Sequence, residues 1–242
     1  MTNLDDPKTT IEHKQILNRK LFLRRIYEEW YAFLLGAVPE IDGAVLELGA
    51  GGGFLRELYP EVVASDMLAV EGLSCLCSAH DLPFHKAGLR AILMTNVFHH
   101  VPDVRLFFAQ ATTCVAPGGV IVMIEPWLTP WSRFVYNRLH HEPCVPDAHD
   151  WKFASSGPLS GANEALPWIV FERDRQIFER DYPGWRIDLV EQFMPVGYLL
   201  SGGFATRLSM PACMFRLCRR IEEALLPRKL CAMFVKILLR RS

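Results

Sequence analysis

Residues 45–55, VLELGAGGGFL, set an acid and four glycines at the end of an apolar run. Glu47 is out of place there, because a carboxylate buried in an apolar strand is costly unless something partners it. Gly49, Gly51, Gly52 and Gly53 lose the most backbone entropy on ordering, so their clustering implies a neighbour that leaves no room for Cβ. A glycine loop leading from a strand into a helix start presents backbone N–H groups to a ligand. Asp66 closes the next apolar run, seventeen residues after Gly49. That is near the spacing at which an acid meets ribose hydroxyls in nucleotide-binding α/β folds. Asn96 ends a further apolar run beside the same cleft. Two histidine pairs could move protons, since imidazole titrates near neutrality. His140 and His141 are the catalytic candidates, because they lie where substrate recognition is expected. His100 is a further candidate, although His99 and His100 also suit packing and cofactor positioning. No Cys/His spacing fits a zinc site, and no metal is expected.

The elements that must carry these groups can be read from periodicity. Ile16, Leu23, Ile26, Trp30, Phe33 and Leu34 predict a helix over 10–38. Short apolar runs predict strands at 44–48, 61–65, 75–79, 90–97 and 118–125, with a helix after Pro102 and Asp103. Strands alternating with helices indicate βαβ units and a doubly wound, mostly parallel sheet. The rhythm breaks over 127–184, rich in Pro, Gly, Ser and Trp, which is expected to form a substrate cap. Trp127, Trp131, Trp151 and Trp168 would line its pocket or fill its core. Strand at 185–193, helix at 213–226 and strand at 229–239 would complete the sheet of a single domain spanning 1–242.

The loop reads Glu47-Leu-Gly49-Ala-Gly51-Gly-Gly53, with Phe54 where the dinucleotide fingerprint wants a third glycine. It resembles the first motif of class I S-adenosylmethionine-dependent methyltransferases, of the type 11-like group. SAHDLPF (78–84), ILMTNVFHHVPD (92–103) and VAPGGVIVMIEP (115–126) follow in that family's order. The resemblance covers about residues 40–126. It departs at Leu89-Arg90, where relatives commonly have Phe-Asp. It implies a seven-stranded α/β sheet and S-adenosyl-L-methionine as cofactor. It assigns Glu47, Gly49, Ala50, Gly51 and Gly53 to the loop, Asp66 to the ribose, and Met67, Asp81 and Leu82 to the adenine. Asn96 falls beside the methionine half. The implied activity is in-line methyl transfer to an oxygen of a small molecule or a glycan- or lipid-linked intermediate. Two other readings stay open: a catalytically silent methyltransferase-like interaction protein, and an NAD-dependent oxidoreductase, which would want glycine at 54.

Composition narrows the partners. A formal net charge of -1 over 242 residues argues against a nucleic-acid binder. From Arg207 onward, however, nine Lys/Arg face two Asp/Glu, a balance of +7. That segment is either a solvated basic face or a peripheral contact with an anionic membrane surface, through Arg216, Arg219, Arg220, Arg228 and Lys229. Seven cysteines without a CxxC pair predict reduced thiols. The polar start and the lack of a long apolar run predict a cytoplasmic location.

Overall fold

The computed structural model describes residues 7–139, 142–155, 157, 161–206 and 209–242. The chain runs α1 (Pro7–Arg19), α2 (Leu21–Gly36), β1 (Ala44–Leu48), α3 (Phe54–Leu58), β2 (Val63–Asp66), β3 (Cys75–Leu76), β4 (Leu89–Thr95), α4 (Val104–Cys114) and β5 (Val115–Pro126). It continues through α5 (Pro130–Leu139), α6 (Leu166–Trp168), α7 (Arg175–Asp181), β6 (Trp185–Phe193), α8 (Gly197–Ser201), α9 (Phe215–Leu225), α10 (Arg228–Cys231) and β7 (Phe234–Arg241). The seven strands form one sheet in the order β3-β2-β1-β4-β5-β7-β6. β7 runs antiparallel to both neighbours, and the other pairs are parallel. The doubly wound α/β architecture expected from the sequence is therefore present.

Covering both faces of the sheet explains why its central strands read as continuous apolar runs. Alternate residues divide between two cores, as the two-residue strand period requires. Leu46, Leu48, Ile92, Met94, Ile121 and Met123 face α4. Val45, Ala91, Leu93, Val120, Val122 and Ile124 face α2, whose Trp30 is fully buried.

The boundaries differ from expectation in three places. The helix expected over 10–38 breaks at Lys20, where φ is -92° and ψ 87°. There the Lys20 ammonium donates to the carbonyls of Gly202 and Gly203, at 3.3 and 2.7 Å. The strand expected over 75–79 shrinks to a two-residue edge. The closing strand begins only at Phe234, because Pro227 starts the short helix α10 instead.

Segment 127–184 divides in two. Ala165, Leu166, Ile169, Val170, Phe171 and Phe178 enter the core shared with α4, together with Trp127 and Trp151. Trp151, Phe153 and Asn163 bond to the turn after β4. Val104 N–H donates to Trp151 O, Phe153 N–H to Pro102 O, and Asn163 N–H to His99 O.

Phe108 joins these layers, its ring contacting Phe98, Phe107, Phe178, Tyr182 and Trp185 at centroid distances from 5.0 to 6.4 Å. Phe108→Ala should destabilise the domain by about 3–5 kcal/mol, the usual range for a buried ring. A shift in denaturation midpoint checks this, and a loss below about 1 kcal/mol would contradict the shared core.

Candidate functional site

The glycine loop folds as a tight turn at the carboxyl end of β1. Ala50 N–H donates to Ser65 O and Gly53 N–H to Ala50 O, at 2.8 and 2.9 Å. Gly49 has φ +71°, and a Cβ there would lie 2.4 Å from Val97 Cγ2, so no other residue fits. Gly51 is different. Its φ of +53° favours glycine although only Thr10 Cγ2, at 3.7 Å, stands near. Asp66 closes the loop from β2, accepting Gly51 N–H at 2.9 Å and Leu68 N–H at 3.0 Å. Its carboxylate oxygens still have lone pairs for other donors.

Two buried oxygens flank this loop without a hydrogen-bond partner among the described residues: Glu47 Oε2 at the end of β1 and Asn96 Oδ1 just after β4. Asn96 is also held at φ +56°. Burial, reinforced by the Asp66 charge, pushes the Glu47 carboxyl up to about 8. Met67 is half-exposed at the rim, Asp81 is exposed, and the Leu82 side chain is buried in the core. The arrangement suits a ligand that brings its own donors.

A second polar group lies beyond Asn96. The turn Phe98–His100 follows β4 directly, and Glu125 from β5 sits beneath it, fully buried. Its carboxylate accepts the backbone N–H groups of Val97 and Phe98, both at 2.8 Å, and of His99 at 3.4 Å. The same group meets His99 Nδ1 at 2.8 Å. His99 Nε2 faces Glu142 at 3.5 Å, and His100 Nε2 faces the other oxygen of Glu142 at 3.7 Å. His100 Nδ1 lies 3.0 Å from Gly161 O, which fixes the proton on that nitrogen. Glu164, buried nearby, hydrogen-bonds Glu142.

The charges in this chamber are strongly coupled. Burial alone would lower His99, but Glu164, Glu125 and Glu142 outweigh it and raise it well above its ordinary value. Burial and the neighbouring His99 charge drive His100 down to about 4. Within the carboxyl pair, burial raises Glu164, while His99 holds Glu142 low against its own burial. Tyr27 links chamber and loop: its hydroxyl bonds to Asn96, and it lies close enough to Tyr198 to raise the Tyr198 phenol, as Glu164 and Glu142 do after burial.

His140 and His141 lie outside the described residues. The structure brings together Glu47, Gly49, Gly51, Gly53, Asp66 and Asn96, and sets His100 in the adjacent chamber. The sequence reading missed Glu125, Glu142, Glu164 and Tyr27. Glu125 carried a usable signal, an acid inside the apolar run GGVIVMIEP. Glu142 and Glu164 carried none.

A family model described as a methyltransferase domain matches residues 18–155. The fold is similar to geranyl diphosphate C-methyltransferase from Streptomyces coelicolor, solved with Mg2+, geranyl diphosphate and S-adenosyl-L-homocysteine. That pair shows 15% identity and a TM-score of 0.55, covering 95% of this chain and 84% of that one. It is also similar to a SAM-dependent methyltransferase from Archaeoglobus fulgidus, at 16% identity and a TM-score of 0.53, covering 90% and 94%. At these identities the likeness is one of fold. A search of curated protein sequences finds no significant match.

Glu47 makes the ligand-free protein pH-sensitive. The unfolded carboxyl ionises near 4.5, whereas the native one keeps its proton to about 8. Folding therefore takes up a proton between these values, and native stability falls as pH rises through that window. Between about pH 6 and pH 7.5 the contribution approaches 2 kcal/mol. Glu47→Gln should remove that share of the pH dependence in denaturation experiments; parallel curves for wild type and variant would contradict the assignment.

Proposed function

Because the chain belongs to the methyltransferase domain family, we propose that it methylates an oxygen of a small molecule, or of a glycan- or lipid-linked intermediate, held at the chamber beyond Asn96. Its cofactor is S-adenosylmethionine, and the enzyme is a class I methyltransferase. One observation carries the fit of this cofactor: Glu47 Oε2 and Asn96 Oδ1 are buried, unpartnered oxygens flanking the glycine turn. An α-ammonium group would satisfy such acceptors, directly or through water. Phe54, buried against Tyr31 at a centroid distance of 5.7 Å, fills the position where a pyrophosphate site needs glycine. The glycine turn and its ribose acid are intact, which supports an active enzyme over a silent relative.

S-adenosylmethionine supplies a methyl group already activated on sulfonium. The protein's share is alignment. Asp66 would hold the ribose hydroxyls, Met67, Asp81 and Leu82 the adenine end, and the cap expected over 127–184 the acceptor. Positioning of this kind can supply on the order of 7–11 kcal/mol. A hydroxyl acceptor also gives up a proton. His140 and His141, with His100 as a weaker candidate, would receive it, adding about 10²–10⁴ in rate. A carboxylate acceptor would need no such step.

Calorimetry should give micromolar binding of S-adenosylmethionine and S-adenosylhomocysteine, and much weaker binding of NAD. Asp66→Ala should weaken the cofactor by about 1.5–3 kcal/mol, the scale of a hydrogen bond to a charged group. Tighter NAD binding, or an unchanged constant in Asp66→Ala, would overturn the reading.

The proposal places the enzyme in the cytoplasm, with a peripheral membrane contact through α9. No helix among the described residues is long and apolar enough to cross a membrane. Leu217, Ile221 and Leu225 nevertheless form an exposed stripe at four-residue steps, with exposed Arg216 and Arg220 on its flank. Arg219, expected among the surface cations, instead turns inward to Glu29 and Glu222, both at 2.7 Å. An apolar stripe flanked by cations suits an anionic lipid surface. Sedimentation with anionic vesicles at low salt should carry the protein down, and Ile221→Glu should release it. No binding to anionic vesicles at low salt would leave a solvated face.

A further inference from the structure

The chamber has a property that proton transfer alone does not require. His99 and His100 are adjacent in sequence, yet their Nε2 atoms converge on the same carboxylate. His99, His100 and Glu142 each offer a ligand atom, a ring nitrogen or a carboxylate oxygen, and the three lie within 4.8 Å of one another. His99 Nε2 lies 3.5 Å from one Glu142 oxygen and His100 Nε2 3.7 Å from the other, each close to the ligand–ligand edge of a tetrahedral zinc site. That edge is about 3.4 Å for bonds of about 2.1 Å.

The surroundings point the same way. A metal-bound histidine donates its other ring N–H to a carboxylate or backbone carbonyl, which fixes the tautomer and aims the lone pair. Both histidines are held in this manner. His99 Nδ1 meets Glu125 at 2.8 Å, and His100 Nδ1 meets Gly161 O at 3.0 Å. Glu142 is oriented in turn by Glu164. A plain packing role would need neither the shared target nor the two outer acceptors.

From this geometry we infer that His99, His100 and Glu142 bind a divalent transition-metal ion of the zinc or cobalt type, which displaces the proton between His99 Nε2 and Glu142. Two imidazoles favour such ions over magnesium or calcium, which prefer all-oxygen sites. Three protein ligands leave a fourth position free, the pattern of a catalytic rather than a structural site. An acceptor hydroxyl bound there would become more acidic. That last role rests on the methyl-transfer reading; binding of the ion does not. Sequence spacing gave no sign of the site, because Glu142 is separated from the histidines by about forty residues and no zinc pattern spans that gap.

The test begins with the full chain treated with a chelator and then titrated with Co2+ alone. One equivalent should produce visible d–d absorption, which Zn2+ should abolish by displacement. His100→Gln and Glu142→Gln should each weaken Co2+ binding by at least about tenfold, while His149→Gln, at an exposed position, should not. Should either chamber variant fail to fold, X-ray absorption of the zinc-loaded wild type decides, with two imidazoles and oxygen expected around the ion. Absence of the cobalt band, its survival in folded chamber variants, or sulfur ligation would overturn the inference. Calorimetry with S-adenosylhomocysteine on the metal-free protein separates the two readings. Retained binding there leaves the methyl-transfer proposal standing even where the ion fails.

Discussion

The site depends on one carboxylate. Glu125, at the end of the fifth strand, is sealed from solvent and receives three consecutive backbone N–H groups together with the His99 ring. Hydrogen bonds to an ionised acceptor are about twice as strong as neutral ones, and removing a buried acceptor leaves every donor unsatisfied. The turn after β4 is thereby fixed on both sides. Val97 is pressed against the glycine loop, which is why Gly49 tolerates no side chain. His99 and His100 are pressed outward into the chamber. The glycine turn and the histidine chamber lie on two sides of one anchored turn.

Charge balance follows from the same anchor. Glu125, Glu142 and Glu164 surround His99, and the cation they sustain holds His100 neutral beside it. The carboxyl pair Glu142–Glu164 divides its titration unequally, burial raising Glu164 while His99 holds Glu142 low. Helix α1 completes the other side. Lys14 lies across Gly52 and pairs with Glu57 of α3 at 2.6 Å, covering the glycine turn from above.

How much of this was legible in the sequence depended on distance along the chain. The glycine turn, the strand bearing Glu47, and Asp66 are local features, and the structure brings them together as their spacing suggested. Glu125 was legible in principle by the reasoning applied to Glu47, since both are acids inside apolar strands. Glu142 and Glu164 were not, because their meeting with His99 depends on the path of the chain from α5 to α6. The break at Lys20 has the same character: its carbonyl partners lie more than 180 residues away. In α9 the periodicity announced a helix but not its orientation, and Leu217 and Leu225 face solvent. Short-range chemistry was readable, and long-range convergence was not.

The most direct measurement is a crystal structure of the protein with S-adenosylhomocysteine. Its ammonium should reach the Glu47 and Asn96 side of the glycine turn, its ribose should meet Asp66, and its sulfur should open toward His99, His100 and Glu142. A sulfur walled off from that chamber, or a ligand bound away from the turn held by Glu125, would contradict the linkage of cleft and chamber.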